Sequence, residues 1–221
     1  PALALGGAIV SADTRLSPHV VMVLGSKGQV CTGTLIARDV IVTAAHCTVN
    51  APQLAIAYFE DGRPVLQPVQ AVARNPGFSS RTAVSVDIAL LKLQTMLPAR
   101  FSPVSIDGGA AAAAIGDTLT IAGYGLAVDS DVRSAGTLRS ASVNLLPKLY
   151  PRFMRLGGDV NLAHFSICKG DSGGPVFAGA SLVGVVYAAE KIKGGKTCGA
   201  AAQAVRLAPQ REWIDGVMRG W

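Results

Sequence analysis

The hydrophobic residues of this chain fall into short runs, and Gly, Pro, Asn and Asp separate the runs at close intervals. The runs are rich in Val, Ile and Thr, which favour strands, and most are too short for helices. The pattern predicts strands at 20–24, 30–36, 40–43, 54–59, 65–73, 88–93, 117–122, 136–145, 176–177 and 182–188. Many short strands with tight turns are typical of a β-sandwich or a β-barrel.

Helical periodicity is scarce and is clearest near the C-terminus, where a proline opens the segment 209–218. The apolar residues that share one face of this segment are Trp213, Ile214, Val217 and Met218. We therefore expect a C-terminal helix within 207–221.

A connector at 102–114, rich in Pro, Gly and Ala, divides the predicted strands into two groups. The length of 221 residues suits one large all-β domain or two small lobes. We expect a single domain over 1–221, with an N-terminal lobe at 5–101 and a C-terminal lobe at 115–206.

Composition excludes several classes of protein. Half of the residues are hydrophobic, the mean hydropathy is +0.39 and only 15% are charged, which indicates a folded chain rather than a disordered one. The net charge is +6, but no Lys/Arg run is interleaved with aromatic residues, so no nucleic-acid partner is expected. No apolar run reaches the ~18–20 residues that span a bilayer, so no membrane span is expected. No complete signal peptide is present, and we expect a processed or trimmed chain.

Four cysteines, Cys31, Cys47, Cys168 and Cys198, form an even set with three possible disulfide connectivities. Their spacing does not resemble a zinc site, and we expect neither a metal nor a cofactor. Pairing the first two and the last two would close loops of moderate length, each stabilising by about 3 kcal/mol. Disulfides favour an oxidising compartment, so the chain is expected to be secreted or periplasmic; four buried free thiols are the alternative.

The segment 168–175 places one serine, Ser172, among glycines and directly after Asp171. Glycines on both sides let the backbone turn sharply and direct its N–H groups inward. A nucleophilic serine needs such exposure, and an oxyanion that develops beside it needs such N–H groups. An ordinary loop is the alternative, because Gly-Asp-Ser-Gly is also typical of turns.

A serine nucleophile needs an imidazole base and a carboxylate that orients the imidazole. His46 follows a predicted strand directly, and its neighbour Cys47 could be tied back to Cys31. His19 is expected to be a surface or turn residue, and His164 a partly buried structural histidine.

Asp87 is the candidate carboxylate. It precedes the buried strand predicted at 88–93, where a carboxylate can be desolvated and held rigidly against an imidazole N–H. The alternative is a strand-entry aspartate that backbone amides satisfy.

Three segments, each around one of these candidates, occur in the order His, Asp, Ser. They are Thr43-Ala44-Ala45-His46-Cys47, Asp87-Ile88-Ala89-Leu90-Leu91 and Gly170-Asp171-Ser172-Gly173-Gly174-Pro175. Together they resemble the signature segments of the trypsin/chymotrypsin family of serine proteases. A fourth segment, Ile121-Ala122-Gly123-Tyr124-Gly125, is similar to another family segment, with Tyr124 where Trp is usual. The resemblance covers nearly the whole chain.

The resemblance implies two six-stranded antiparallel β-barrels with the active site in the cleft between them, followed by a C-terminal helix. It implies that Ser172 is the nucleophile, that His46 is the base and that Asp87 orients His46. The backbone N–H groups of Gly170 and Ser172 are implied as the oxyanion hole. The disulfides implied by the resemblance are Cys31–Cys47, at the histidine loop, and Cys168–Cys198, beside the specificity pocket.

The amino terminus departs from the family pattern. Active members begin with a short apolar pair followed by Gly-Gly, and Ala4-Leu5-Gly6-Gly7 matches that segment. The resemblance implies that cleavage after Leu3 would free the ammonium group of Ala4 to pair with Asp171. We therefore expect a zymogen or an incompletely trimmed precursor. The alternative is that Pro1 is the mature terminus and that Asp171 has another partner.

The specificity pocket is a second departure. The family position at the pocket floor is Ser166 here, and because an Asp there would select Arg or Lys, trypsin-like cleavage is not expected. By the same resemblance Tyr187, Ala188 and Ala189 belong to the pocket wall, where the family often has glycines. We expect small or medium apolar residues before the cleaved bond, with aromatic residues as the second choice. Glu190 would favour basic residues if it turned inward; a solvated loop acid is its other interpretation.

The function implied by the resemblance is that of a secreted serine endopeptidase, a monomer whose partners are polypeptide substrates and protein inhibitors. A catalytically silent family member that acts as a binding module is the second interpretation, although such proteins usually lack one of the three residues. A serine esterase of another fold is the third, but the order of the residues differs from that of α/β-hydrolases.

Overall fold

The computed structural model describes residues 15–82, 85–106, 113–129, 131–147, 151–158, 166–191 and 198–221. In this part of the chain, two closed antiparallel barrels of six strands each follow one another. The strands of the first barrel are β1 Val20–Gly25, β2 Val30–Ala37, β3 Val40–Thr43, β4 Leu54–Glu60, β5 Arg63–Arg74 and β6 Ala89–Leu93. The strands of the second barrel are β7 Thr118–Gly123, β8 Arg139–Leu146, β9 Phe153–Gly157, β10 Pro175–Ala178, β11 Ser181–Lys191 and β12 Gly199–Arg206.

The two barrels close with the same strand order. Neighbours in the first barrel run β1-β2-β3-β6-β5-β4, and neighbours in the second run β7-β8-β9-β12-β11-β10. Closure leaves neither sheet with a free edge, which removes the backbone groups that would otherwise pair with other chains. The predicted fold class is therefore confirmed.

The sequence pattern found every strand except β9 and β12. Strand β12 reads Gly-Ala-Ala-Ala-Gln-Ala-Val-Arg, and neither glycine nor alanine favours strands. It is a strand because β11 and β9 hydrogen-bond to its two sides. Pairing with neighbours thus overrides local propensity here.

The C-terminal helix α1 spans Arg211–Arg219, after a 3-10 turn at Ala208–Gln210 that contains the proline. Ile214 is fully buried, and the other three apolar residues of the predicted face pack against the core. The helix is thus confirmed, with its start two residues later than the proline. No helix in the described residues has the length and hydrophobicity to cross a membrane.

One apolar cluster extends through both barrels. It contains Leu35 and Ile56 of the first barrel, Val185 of the second, and Ile214 of the helix. A second cluster, which includes the small residues Ala202 and Ala204, lies within the second barrel. Because the barrels share a core, the side chains at their junction are held in fixed relative positions.

Candidate active site

Strand register in the first barrel brings His46 and Asp87 together. Thr43 at the end of β3 pairs with Ala89 at the start of β6. His46 follows β3 in a 3-10 turn at Ala45–Thr48, and Asp87 lies two residues before β6, so both lie at the same end of this strand pair. The Cys31–Cys47 disulfide ties the turn back to β2.

Two hydrogen bonds join the histidine to the aspartate. His46 Nδ1 lies 2.7 Å from Asp87 Oδ2, and the backbone N–H of His46 donates to Asp87 Oδ1 at 2.8 Å. The Asp87 side chain is 10% exposed, whereas that of His46 is 40% exposed. An ionised carboxylate can only accept hydrogen bonds, so beside it a neutral imidazole carries its hydrogen on Nδ1. The lone pair is then on Nε2, on the other side of the ring, where it can accept a proton.

Ser172 lies at the junction of the barrels, beside the histidine turn. Its carbonyl oxygen accepts a hydrogen bond from the Thr32 N–H of β2 at 2.8 Å and lies 3.8 Å from Cys47 Sγ. In the described structure no hydrogen bond joins Ser172 Oγ to His46 Nε2. Such contacts are often long in free enzymes and shorten when substrate binds.

The loop around Ser172 requires glycine for steric reasons. Gly173 has φ +85°, and a Cβ there would overlap Thr32 O and Thr43 Oγ1 of the first barrel. Its N–H donates to Val186 O of β11 at 2.7 Å. The serine loop can therefore approach the first barrel this closely only because residue 173 has no side chain.

The peptide before Gly170 has a defined orientation. Its carbonyl, Lys169 O, accepts a hydrogen bond from Leu126 N–H at 3.0 Å. The peptide is trans, so the Gly170 N–H points away from Leu126. Within the described part of the chain, the N–H groups of Gly170 and Ser172 have no hydrogen-bond acceptor. The described structure therefore commits neither N–H group to an internal partner.

The side chain of Asp171 lies in a buried slot. Its carboxylate accepts hydrogen bonds from the N–H groups of Gly125 and Cys168, each at 2.9 Å. A Cβ at Gly123 or Gly125 would overlap this carboxylate, which explains the glycines of the 121–125 segment. Burial raises the pKa of Asp171 to about 6, although the two N–H groups and the charge of Arg139 oppose the rise.

The predicted pocket residues lie on and beside β11. Ser166 is buried, with Oγ 3.8 Å from Cys168 Sγ. Tyr187 is also buried, and Ala188 and Ala189 follow it on β11, each partly exposed. Desolvation, then the negative charges of Asp87 and Glu190, raises the pKa of Tyr187 to about 12.

Glu190 lies on a strand rather than in a loop, and its carboxylate has an ion-pair partner. It lies on β11, and Arg155 of β9 binds it through Nε at 2.9 Å and Nη2 at 2.8 Å. Gln203 of β12 donates to it at 3.2 Å and accepts a 2.6 Å hydrogen bond from the Tyr187 hydroxyl. The guanidinium group balances the charge of Glu190. The sequence pattern missed this network because Arg155 and Gln203 lie on the two strands that it did not predict.

Both disulfides have the connectivity implied by the resemblance, Cys31–Cys47 and Cys168–Cys198. The first lies beside the His46 ring, within 4.8 Å, but disulfide sulfurs are not the thiolates that bind metals.

His19 lies in a turn, with Nδ1 2.6 Å from Ser102 O. Ala4 and His164 lie outside the described residues.

This geometry and fold define a class of protein, the trypsin-like serine proteases. The Trypsin family model matches residues 8–214, so the chain belongs to the trypsin family and is a serine endopeptidase. It is 26% identical over 231 residues to alpha-fibrinogenase albofibrase of Trimeresurus albolabris, covering 94% of this chain and 86% of that protein. It is 30% identical over 207 residues to kallikrein-14 of Homo sapiens, covering 86% of this chain and 74% of that protein.

The fold is also that of a solved structure, neuropsin, a serine protease expressed in the limbic system of mouse brain. The two superpose with a TM-score of 0.76, covering 93% of this chain and 96% of the other. Sequence identity is 20%, so this likeness supports the fold alone.

Proposed function

We propose that Ser172, His46 and Asp87 are the catalytic triad that hydrolyses peptide bonds. The Ser172 Oγ would attack the scissile carbonyl carbon while its proton passes to His46 Nε2. His46 would then give that proton to the leaving amine, which completes the acyl-enzyme. Water would release the acid product by the same steps, with His46 again accepting and returning a proton. The observation that carries this proposal is the pair of hydrogen bonds from His46 to Asp87.

The oxyanion of each tetrahedral intermediate would bind the N–H groups of Gly170 and Ser172. Support comes from the orientation of the peptide before Gly170 and from the lack of other acceptors for these groups in the described residues. Donors that are already fixed in place need no reorganisation when negative charge develops, which is the main advantage of such a site.

The residue before the cleaved bond would be small or medium and apolar. Ser166 provides no charge at the pocket floor, and Glu190 is bound to Arg155. Ala189 of β11 pairs with Ala202 of β12. If this pair borders the pocket, as the family resemblance implies, its methyl groups would take up room there. A panel of fluorogenic peptides that vary only at this position should give the highest kcat/KM with Ala, Val or Leu. Dominant cleavage after Arg or Lys would contradict the proposal.

Activation would depend on the partner of Asp171. Cleavage after Leu3 would give Ala4 a free ammonium group, and the buried carboxylate, which has no ion pair within 4.0 Å among the described residues, would be its acceptor. Amino-terminal sequencing of the active species tests this step. Full activity with Pro1 intact would show that Asp171 needs no such partner.

We also propose that the chain is secreted and acts on polypeptides. Its two disulfides suit an oxidising compartment. Disulfide bonds in protein freshly isolated from its source, with free thiols blocked at lysis, would support this location, and reduced cysteines would contradict it.

Labelling with an organofluorophosphate tests the triad directly. An activated Ser172 Oγ would bond to phosphorus, fluoride would leave, and the hydroxyl proton would pass to His46. We expect one mass adduct, on Ser172, that His46→Ala abolishes and His19→Ala retains. The measurement is made on the full chain and on the chain trimmed after Leu3. Absence of labelling in both forms would contradict the triad and favour the binding module.

A further inference from the structure

Thr32 of β2 lies where the first barrel meets the serine loop. Its side chain is fully buried, and its hydroxyl donates to Gly170 O at 2.9 Å. The same hydroxyl accepts a hydrogen bond from the backbone N–H of Tyr124 at 3.0 Å. One side-chain oxygen thus links β2 to the Gly170 loop and to the segment after β7.

The backbone of Thr32 is fixed in the same region. Its N–H donates to Ser172 O at 2.8 Å, and its carbonyl accepts a hydrogen bond from Thr43 Oγ1 at 2.7 Å. Thr32 therefore binds the carbonyl oxygens of both Gly170 and Ser172. These are the two residues whose N–H groups are proposed to hold the oxyanion.

Gly170 has no Cβ, which gives its backbone a wider range of conformations than other residues have and permits the observed φ of +103°. The peptide before it is held at its carbonyl by Leu126. The peptide after it is held at its carbonyl by the Thr32 hydroxyl and at its N–H by Cys168 O. With both neighbouring peptides anchored, the direction of the Gly170 N–H is fixed before substrate arrives. Fixed direction is what an oxyanion donor needs.

We propose that the Thr32 hydroxyl is a positioning group for the oxyanion hole. This role rests on the proposed function of Gly170 and Ser172 and adds to it a residue from the opposite barrel. Thr32 touches no substrate atom; it acts through the peptide that follows Gly170. Loss of the hydroxyl would leave Gly170 O and the Tyr124 N–H without this shared partner. The peptide after Gly170 would then be held only at its N–H end, where Asp171 N–H donates to Cys168 O at 3.1 Å, and its carbonyl could shift.

Thr34 offers a matched control on the same strand. It lies two residues further along β2, so its side chain points to the same face. It is also fully buried, but its hydroxyl has no hydrogen-bond partner among the described residues. Replacing Thr by Val keeps the shape of the side chain at both positions. It removes two hydrogen bonds at Thr32 and none at Thr34.

The test compares Thr32→Val, Thr32→Ser and Thr34→Val in whichever form of the chain is active. We expect Thr32→Val to lower kcat by about tenfold to a hundredfold, with KM within about threefold of wild type. Thr32→Ser keeps the hydroxyl and should recover most of kcat. Thr34→Val should leave both constants near those of wild type.

The affinity for a peptide aldehyde is a measurement that would not change if Thr32 had only a structural role. Ser172 Oγ would add to the aldehyde carbon and pass its proton to His46, which leaves a negative oxygen in the oxyanion hole. Thr32→Val should weaken aldehyde binding by the same factor as kcat, while binding of the corresponding peptide amide stays unchanged.

Equal kcat values for Thr32→Val and Thr34→Val, or a rise in KM alone, would overturn the positioning role. If Thr32→Val does not fold, Thr32→Ala takes its place. Failure of both to fold, beside a folded Thr34→Val, would assign Thr32 to stability only. A wild-type chain that neither cleaves peptides nor reacts with the organofluorophosphate would overturn the proposed triad itself.

Discussion

Asp171 shows how strongly the surroundings can change a single side chain. Its carboxylate lies buried between Gly123 and Gly125, with two backbone N–H donors and the more distant charge of Arg139. Burial disfavours the charged form more than these groups favour it, so the pKa rises from the ordinary 3.8 to about 6. The protonation of Asp171 should therefore change the free energy of unfolding as pH changes.

The first prediction is that Asp171 lowers the free energy of unfolding as pH rises from about 4 to about 6. In that window the unfolded chain loses the Asp171 proton while the folded chain keeps it. The contribution of Asp171 to stability is therefore fully present below the unfolded pKa and is lost as pH rises through the folded pKa. A difference of about 2 pKa units corresponds to about 3 kcal/mol. Urea unfolding of the chain with Pro1 intact, measured across this range, checks the value.

Asp171→Asn should remove this contribution, while Asp61→Asn, in an exposed turn, should leave it unchanged. The chain trimmed after Leu3 should also lose it if the Ala4 ammonium pairs with Asp171, because a nearby positive charge lowers the pKa of a carboxylate. An identical pH dependence in wild type and Asp171→Asn would show that other groups cause the change.

At the scale of elements, the serine loop depends on close approach between β2, β3 and the residues before β10. Gly173 is the point of contact, since a side chain there would overlap Thr32 O and Thr43 Oγ1. Gly179, in the turn between β10 and β11, also has a positive φ, but a Cβ there meets no atom within 4 Å. A comparison of substitutions at the two glycines therefore distinguishes the cost of the left-handed backbone conformation from the cost of steric overlap.

The second prediction concerns alanine at these two positions. Gly179→Ala should cost about 1 kcal/mol of stability, since only the left-handed backbone conformation is penalised. Gly173→Ala should cost at least about 3 kcal/mol and abolish activity, because the loop must also move away from the first barrel. Urea unfolding and the peptide assay measure the two effects. Similar stability losses at both positions would contradict the role of steric overlap.

At the scale of the whole molecule, the two barrels share an apolar cluster, and a contact between Asn75 and Gln210 joins the first barrel to the C-terminal segment. Asn75 follows β5, and Gln210 ends the 3-10 turn before α1. Both are buried, and the Asn75 amide donates to Gln210 Oε1 at 3.3 Å. An exposed contact of the same length joins Thr118 Oγ1 to Asn144 Oδ1 within the second barrel.

The third prediction is that a double-mutant cycle with Asn75→Ala and Gln210→Ala gives a coupling energy of about 1 kcal/mol. The corresponding cycle with Thr118→Ala and Asn144→Ala should give a value near zero, because water replaces an exposed hydrogen bond at little cost. Urea unfolding supplies all the energies. Equal coupling in the two cycles would show that burial adds nothing to the Asn75 contact.

The sequence predicted those features that depend on a short motif or on the periodicity of neighbouring residues. The helix face around Ile214 and the strand 88–93 with Asp87 before it were visible as patterns. The strands β9 and β12 were not, because β9 is only five residues long and β12 consists mainly of Gly and Ala. The two strands also pair with each other although they lie far apart in the chain. The Tyr187, Gln203, Glu190 and Arg155 network was missed for the same reason.

The sequence by itself determined the candidate nucleophile, base and carboxylate, most of the strands, and the family resemblance, since short motifs and alternation of apolar residues are local properties. Only the tertiary structure decided the disulfide pairing among the three possible connectivities, the ion pair that Glu190 makes, and the slot that buries Asp171. It also brought Thr32 of one barrel against Gly170 of the other. These features depend on strand register and on contact between barrels, which join residues far apart in the chain.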